Sequence, residues 1–330
     1  MDEVNWGIVG TAGIADKVAK AIASANGARL AAVASRDRGR AEAWGAERGV
    51  PSAFGSYGAL LDDESIDAVY IPLPPSMHME WTVKAAEKGK HVLCEKPLAL
   101  DLKQAGIMRD ACRDNGVQLM DGVMWVHHLR ADAMRQEIEN GRLGELRRVS
   151  SAFTFSMAPE RTDNIRLQKE LGGGCLGDLG YYSVRAILWA FGAMPEAVYS
   201  SVRYYNGVDM NVSALLWFGD DRMAALDCGF DTYMRQWFEI VGTEGSIVCD
   251  DFVAPSGTED ARYWLHRNRA AETVKGQPCA QEVRMIERFS TAIMAGEPRP
   301  TWAVEAVETT IVCDAIRRSW SVGKKVELAA

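Results

Sequence analysis

The stretch Gly7-Ile8-Val9-Gly10-Thr11-Ala12-Gly13-Ile14-Ala15 decides the fold. A short apolar run over Asn5–Val9 breaks into glycine and reopens as an amphipathic helix over Ile14–Ala25. Set against the pattern GxGxxG/A, the deciding positions are Gly10, Ala12 and Ala15. Gly10 permits a tight turn, and Ala15 is small enough for close helix–strand packing. Ala12 departs from the glycine that lets backbone approach a pyrophosphate. Thr11, Ala12, Gly13 and Ile14 bring backbone N–H groups to the helix start, where an anion is favoured. Glycine-rich strand–helix turns also serve plain packing, so the surroundings must decide.

Those surroundings are βαβ units. Strands are expected at Leu30–Ala34, Ala68–Ile71 and His91–Cys94, and helices at Arg38–Arg48, near Met77–Lys88 and from Leu102 to Asn115. Short buried strands alternating with helices of this length imply right-handed crossovers and a parallel sheet. After about residue 125 the texture changes. Val149–Met157 alternates, and further strands follow closely at Ala197–Tyr205, Val212–Phe218, Met223–Phe230, Trp237–Val241 and Ser246–Cys249. Gly219-Asp220-Asp221 reads as a hairpin turn. A last helix is expected from Trp302 to Ser321, after Pro298-Arg299-Pro300. The expected fold class is α/β: a Rossmann-type parallel-sheet domain over 1–123, then an α+β domain over 124–330 with a large, predominantly antiparallel sheet.

Composition narrows the function. The 330 residues are 48% apolar and 25% charged, ordinary for a globular protein, and two domains suit the length. A net charge of −8 gives no support to nucleic acid or an anionic membrane as partner. No apolar run reaches the ~18 residues of a membrane span. The N-terminus does not read as a signal peptide. Seven scattered cysteines, odd in number and never in CxxC, fit a cytoplasmic protein with reduced thiols better than a disulfide framework or a metal site.

The end of the second strand bears on the cofactor. Val33-Ala34-Ser35-Arg36-Asp37 places Ser35 where an NAD site usually carries an acid, and Arg36 follows. A hydroxyl and a guanidinium suit the 2′-phosphate of NADP. The alternative is NAD, with Arg36 capping the following helix and Asp37 on the ribose.

Two further stretches are more specific. One is Ile71-Pro72-Leu73-Pro74-Pro75-Ser76-Met77-His78 with Gly89-Lys90-His91-Val92-Leu93-Cys94-Glu95-Lys96-Pro97-Leu98. The other is Leu171-Gly172-Gly173-Gly174-Cys175-Leu176-Gly177-Asp178-Leu179-Gly180-Tyr181-Tyr182. With the glycine loop, these resemble the glucose–fructose oxidoreductase / inositol dehydrogenase / MocA family, and within it the dihydrodiol and xylose dehydrogenase branch. The resemblance runs from the first strand to the last helix. It implies hydride transfer between a nicotinamide and a carbinol or carbonyl carbon of a sugar, cyclitol or dihydrodiol, with NADP or NAD lying between the two domains. It also implies association through the open sheet face as a homodimer or dimer of dimers.

Site residues follow by position. Lys96 comes directly after a strand, at the carboxyl edge where open α/β sheets bind ligands. Glu95 either orients it or solvates the loop, and a cis Pro97 would direct it. The family's DxGxH/Y pattern makes Tyr182 the acid/base, with Asp178 orienting the substrate hydroxyl or Lys96. If Asp178 opens a helix, the two share a face. A free tyrosine near pKa ~10 is a poor base, and a close ammonium would favour its phenolate. The resemblance puts Pro72, Leu73, Pro74, His78, Glu95 and Lys96 on the cofactor, although a helix-start histidine can also be purely structural. Trp125 and His127 are substrate candidates in a stretch that departs from relatives at Val126 and Leu129. Arg166 either binds substrate hydroxyls or holds its loop, and Tyr181 is core, interface or substrate wall. Two other readings stand beside the dehydrogenase: a tight-cofactor sugar oxidoreductase that never releases NADP(H), and a catalytically silent NADP-binding regulator.

Overall fold

Trp6, Ile8 and Val9 have no exposed surface, because the strand that carries them is covered on both faces. Near-continuous apolar runs of this kind belong to central parallel strands. The computed structural model describes residues 2–157, 163–255 and 261–328. Its first sheet comprises β1 (Val4–Val9), β2 (Ala28–Ala34), β3 (Ser52–Phe54), β4 (Ala68–Ile71), β5 (His91–Cys94) and β6 (Leu119–Asp121). All are parallel, in the order β3-β2-β1-β4-β5-β6. The order reverses between β1 and β4, and the carboxyl ends at such a switch point are where open α/β sheets bind ligands.

The helices of this sheet are α1 (Gly13–Ser24), α2 (Arg38–Arg48), α3 (Tyr57–Leu61), α4 (Pro75–Glu87) and α5 (Leu102–Asp114). Side chains cap three of them: Asp37 accepts from Arg40 N at 2.8 Å, Ser56 from Ala59 N at 3.2 Å and Asp101 from Gln104 N at 2.8 Å. Among the described residues, no side chain caps α1. The sequence reading missed β3, α3 and β6. With three to five residues each, they are too short to show a period.

The remaining elements are α6 (Leu129–Glu139), β7 (Leu146–Ser156), α7 (Tyr181–Phe191), β8 (Ala197–Tyr205), β9 (Val208–Phe218), β10 (Arg222–Gly229), β11 (Asp231–Gly242), β12 (Gly245–Cys249), β13 (Arg262–Arg267), β14 (Ala270–Lys275), α8 (Gln281–Met294), α9 (Pro300–Val322) and β15 (Val326–Glu327). They build a nine-stranded sheet in the order β14-β13-β12-β11-β7-β10-β9-β8-β15. Among the described residues, only the β7–β10 pairing of this sheet is parallel. The β9–β10 hairpin turns at Gly219-Asp220-Asp221 as read, with Asp220 and Asp221 at φ +60° and +56°. On one face Phe238 and Ile240 are buried, and Ser200 Oγ donates to Ile316 O of α9 at 2.8 Å. The other face carries exposed Tyr199, Leu215 and Trp237. Among the described residues, no helix is long and apolar enough to cross a membrane.

The expected second domain, 124–330, is not continuous. The chain divides into one unit of Met1–Met124 with Ala280–Val307, and another of Trp125–Cys279 with Glu308–Ala330. The cause is α8, whose Met285, Ile286 and Phe289 enter the core formed by Trp6, Val18 and Ile22. Trp6 packs at a tilt against Phe289, ring centroids 5.2 Å apart, and its Nε1 donates to Ser290 Oγ at 3.1 Å.

Candidate active site

At the end of β1, Gly10 has φ +118°, and a Cβ there would lie 3.0 Å from Leu73 Cδ2. Conformation and space therefore both require glycine. Leu73 belongs to Pro72-Leu73-Pro74 after β4, so the two loops of the switch point touch. Ala12 stands at the N-cap of α1, and a Cβ on Gly13 would meet nothing within 4 Å. Uncapped N–H groups with clear space before them are a fitting seat for an anionic group such as a pyrophosphate.

Beside this loop Ser35 is buried, its Oγ accepting from Asp37 N at 3.3 Å, while Arg36 is exposed. Asp37, rather than Arg36, caps α2, so that carboxylate is already engaged. A second cation, Arg40, reaches within 3.4 Å of Thr11 O. Sequence reasoning missed Arg40; its signal is its place three residues after the Asp37 cap. This donor set suits a phosphate better than a ribose hydroxyl.

His78 has no exposed surface. Its Nδ1 lies 2.9 Å from Pro97 O and its Nε2 2.7 Å from Leu73 O. The ring therefore ties the loop after β4 to the loop after β5, and it is not among the groups offered to a dinucleotide. Burial holds its pKa below the usual 6.5, against the pull of the neighbouring carbonyls. A neutral ring donates to one of its two carbonyls only.

The Lys96–Pro97 bond is cis. Glu95 is buried rather than solvated. Its Oε1 accepts from Tyr70 Oη at 2.6 Å, and its Oε2 from Lys96 N at 3.1 Å. A Cβ on Gly122 would meet its carboxylate at 3.0 Å, so glycine at 122 leaves it room. Burial raises the Glu95 pKa, and the Lys96 charge is the largest influence opposing that rise. Glu95 thus holds the backbone of the residue after it. Lys96 itself is half-buried.

In the other unit, Leu176–Gly180 forms a π-turn ahead of α7. Asp178 therefore lies inside a widened turn rather than opening a helix, correcting the expectation. Gly180 is tight here, since a Cβ would stand 2.8 Å from Leu176 Cδ1 and 2.9 Å from Cys228 Sγ. π-Turns concentrate at functional sites. Arg166 Nε donates to Asp178 Oδ2 at 2.6 Å. Tyr182 packs edge-on against Phe153 at 5.7 Å. Tyr181, only 1% exposed, is core.

The substrate stretch needs a second correction. Trp125 is 1% exposed and packs on Trp189 at 5.3 Å and Phe252 at 5.5 Å. His127 is 3% exposed. His128 caps α6, its Nδ1 accepting from Arg130 N at 2.9 Å. Aromatic packing accounts for Trp125 and helix capping for His128. Among the described residues, no group of three or more His, Cys, Asp and Glu side chains is placed to hold a metal.

Comparison with known proteins agrees with this layout. Residues 4–123 match an oxidoreductase family with an NAD-binding Rossmann fold, and residues 131–248 match the GFO/IDH/MocA C-terminal domain. The chain is 39% identical over 329 residues to ORF334, an uncharacterized oxidoreductase of Rhizobium meliloti, covering 97% of each. It is 36% identical over 327 residues to D-xylose 1-dehydrogenase (NADP(+)) 2 of Haloferax volcanii, covering 98% of this chain and 99% of that one. KijD10, a 3-ketoreductase from Actinomadura kijaniata solved in complex with NADP and TDP-benzene, matches with a TM-score of 0.90 at 30% identity. That match covers 96% of this chain and 98% of the other. Both halves being matched in tandem, and the relatives aligning almost from end to end, the chain belongs to the GFO/IDH/MocA family of NAD(P)-dependent oxidoreductases.

Proposed function

We propose that the protein is an NADP-dependent dehydrogenase or reductase of a sugar, cyclitol or related diol, working in the cytoplasm as a homodimer or dimer of dimers. The observation that carries this reading is the end-to-end similarity to an NADP+-dependent xylose dehydrogenase. The uncapped start of α1 and the exposed guanidinium of Arg36 support it.

A bound nicotinamide would supply the hydride chemistry, as acceptor from a carbinol carbon or donor to a carbonyl. The N–H groups opening α1 hold the pyrophosphate, and Ser35, Arg36 and Arg40 hold the 2′-phosphate. Pro72, Leu73 and Pro74 wall the nucleotide. In the oxidative direction Tyr182 takes the hydroxyl proton, and in the reductive direction it returns that proton to the oxygen. The Lys96 ammonium stabilises the negative charge developing on that oxygen. Asp178, steadied by Arg166, orients the hydroxyl.

The deciding experiment follows NADPH absorbance with aldoses, cyclitols, dihydrodiols and keto sugars, in parallel with NAD. Turnover of a polyhydroxylated substrate with NADP well above NAD is the expected result. NADP binding without turnover across the panel would favour the silent regulator.

A further inference from the structure

We infer that Asp209 is a positioning residue for the reaction, its carboxylate anchoring the glycine-rich turn that delivers Asp178 and Tyr182. The inference rests on the catalytic reading above. Asp209 stands near the start of β9, just after the Asn206-Gly207 turn, whose residues take φ +49° and +80°. The β8–β9 register shifts between Arg203 and Tyr204, so that Arg203 pairs with Asn211 and Tyr204 with Asp209. Such bulges commonly re-aim a side chain beside an active site.

Asp209 Oδ2 accepts the N–H of Leu176 at 2.7 Å, the first residue of the π-turn. Its carboxylate also occupies the space next to Gly174. A Cβ there would lie 2.1 Å from Asp209 Oδ1, and Gly174 has φ +123°. The third glycine of the run is therefore the groove that admits this carboxylate. Burial pushes the Asp209 carboxyl above its usual range, while the Leu176 N–H and the Arg317 charge favour its ionised form.

The other end of the run is fixed by backbone. Gly173 N donates to Gln168 O and Gly174 N to Arg166 O, each at 2.9 Å. A Cβ on Gly173 would strike Arg166 O at 2.6 Å. Asp209 is the carboxylate that meets the start of the turn from the sheet, beside the packing contact of Cys228 at Gly180. Removing it frees the amide that begins the π-turn, two residues before Asp178. A shift of ~1 Å in a catalytic constellation can cost about 10²-fold in rate.

The test compares Asp209→Ala, Asp209→Asn and Asp209→Glu with Tyr182→Phe in the full chain. It reads kcat, substrate KM, NADP affinity and amide hydrogen exchange over 172–182. In Asp209→Ala, kcat is expected to fall about 10- to 100-fold. NADP affinity should stay within about twofold, and exchange of the turn should rise. Asp209→Asn keeps an oxygen for the Leu176 N–H and should recover kcat to within about threefold. Normal kcat with unchanged exchange in Asp209→Ala overturns the inference, as does a loss that Asn does not rescue. If the alanine variant does not fold, the other two decide: Asn active and Glu impaired supports the anchor, and the reverse overturns it. A fully active Tyr182→Phe would sink the proton-transfer reading alone, because exchange at Leu176 reports the anchor independently.

Discussion

Arg166 ties Gly174, the last residue of the glycine run, to Asp178 in the π-turn: its carbonyl accepts from Gly174 N at 2.9 Å, and its Nε donates to Asp178 Oδ2 at 2.6 Å. This favours loop holding over substrate binding, the two readings open for Arg166. The ion pair is partly exposed and contributes little to stability. Its effect should appear in rate. Arg166→Ala is expected to lower kcat roughly tenfold with KM changed less than about threefold. Steady-state kinetics decide, and a rise in KM at constant kcat would make Arg166 a substrate ligand instead.

Tyr182→Phe removes one oxygen and leaves the ring against Phe153. General acid–base help is typically worth about 10²–10⁴-fold, or roughly 3–5.5 kcal/mol of barrier. Turnover should fall within that range while NADP affinity holds. Lys96→Met should be at least as damaging, and the double variant less than additive. Near-normal turnover in Tyr182→Phe would move the proton transfer to Asp178.

The Ser35-Arg36 pair, with Arg40 reaching the glycine loop, predicts NADP over NAD. Arg36→Ala should raise the dissociation constant for NADP about tenfold or more and leave that for NAD nearly unchanged, one lost charge-assisted contact being worth about 1.5–3 kcal/mol. Titration calorimetry with both nucleotides reads this directly. Equal affinity of the unaltered protein for the two would contradict the assignment.

His78 gives a pH signature. Its folded pKa lies below the unfolded 6.5, so between those values the unfolded chain binds more protons. The stabilising contribution is complete above pH 6.5 and is lost as pH falls through the lowered folded value. Thermal midpoints should therefore drop from about pH 7.5 to about pH 5.5. In His78→Gln the drop should be smaller, with the remainder coming from His91, which burial lowers in the same direction. Equal slopes in both proteins would exclude His78 as the source.

The open face of the nine-stranded sheet predicts self-association. A trough of about 620 Å³ includes Ser150, Ala152 and Ala225 in its floor, with Trp237 and Arg235 in its wall. Across the same face Leu215 pairs with Tyr199, both exposed. A stable dimer buries roughly 800 Å² per partner. Light scattering at micromolar concentration should give a dimer or larger, and Leu215→Arg should shift it toward monomer. A monomeric unaltered protein would contradict the proposal.

The parallel sheet was legible because each of its four longest strands carries a short apolar run, such as Leu30–Ala34 or Ala68–Ile71, between longer helical segments. The hairpin at Gly219-Asp220-Asp221 was legible from turn chemistry alone. What stayed hidden depends on distant partners. Nothing in the period of α8 says that Met285 and Phe289 pack on Trp6, nearly the whole chain away. The run Trp125–His128 was read as chemical from its position in the family pattern, yet Trp125 is packed among aromatic rings and His128 Nδ1 accepts the N–H that starts α6. The π-turn was invisible because it inserts one residue into an otherwise ordinary helical pattern.

The return of α8 to the first unit has a consequence for synthesis. A ribosome releasing this chain from its N-terminus cannot complete the nucleotide-binding half when residue 124 emerges. The core around Trp6 still lacks Met285, Ile286 and Phe289. The other unit also waits for residues beyond Glu308. Both halves therefore close only once these late segments are made, the first over a separation of 284 residues between Trp6 and Ser290. The order in which the halves are encoded is thus not the order in which they become stable. Until those residues are made, the nascent chain exposes the apolar surface that α8 covers in the folded protein, the kind of surface that invites aggregation.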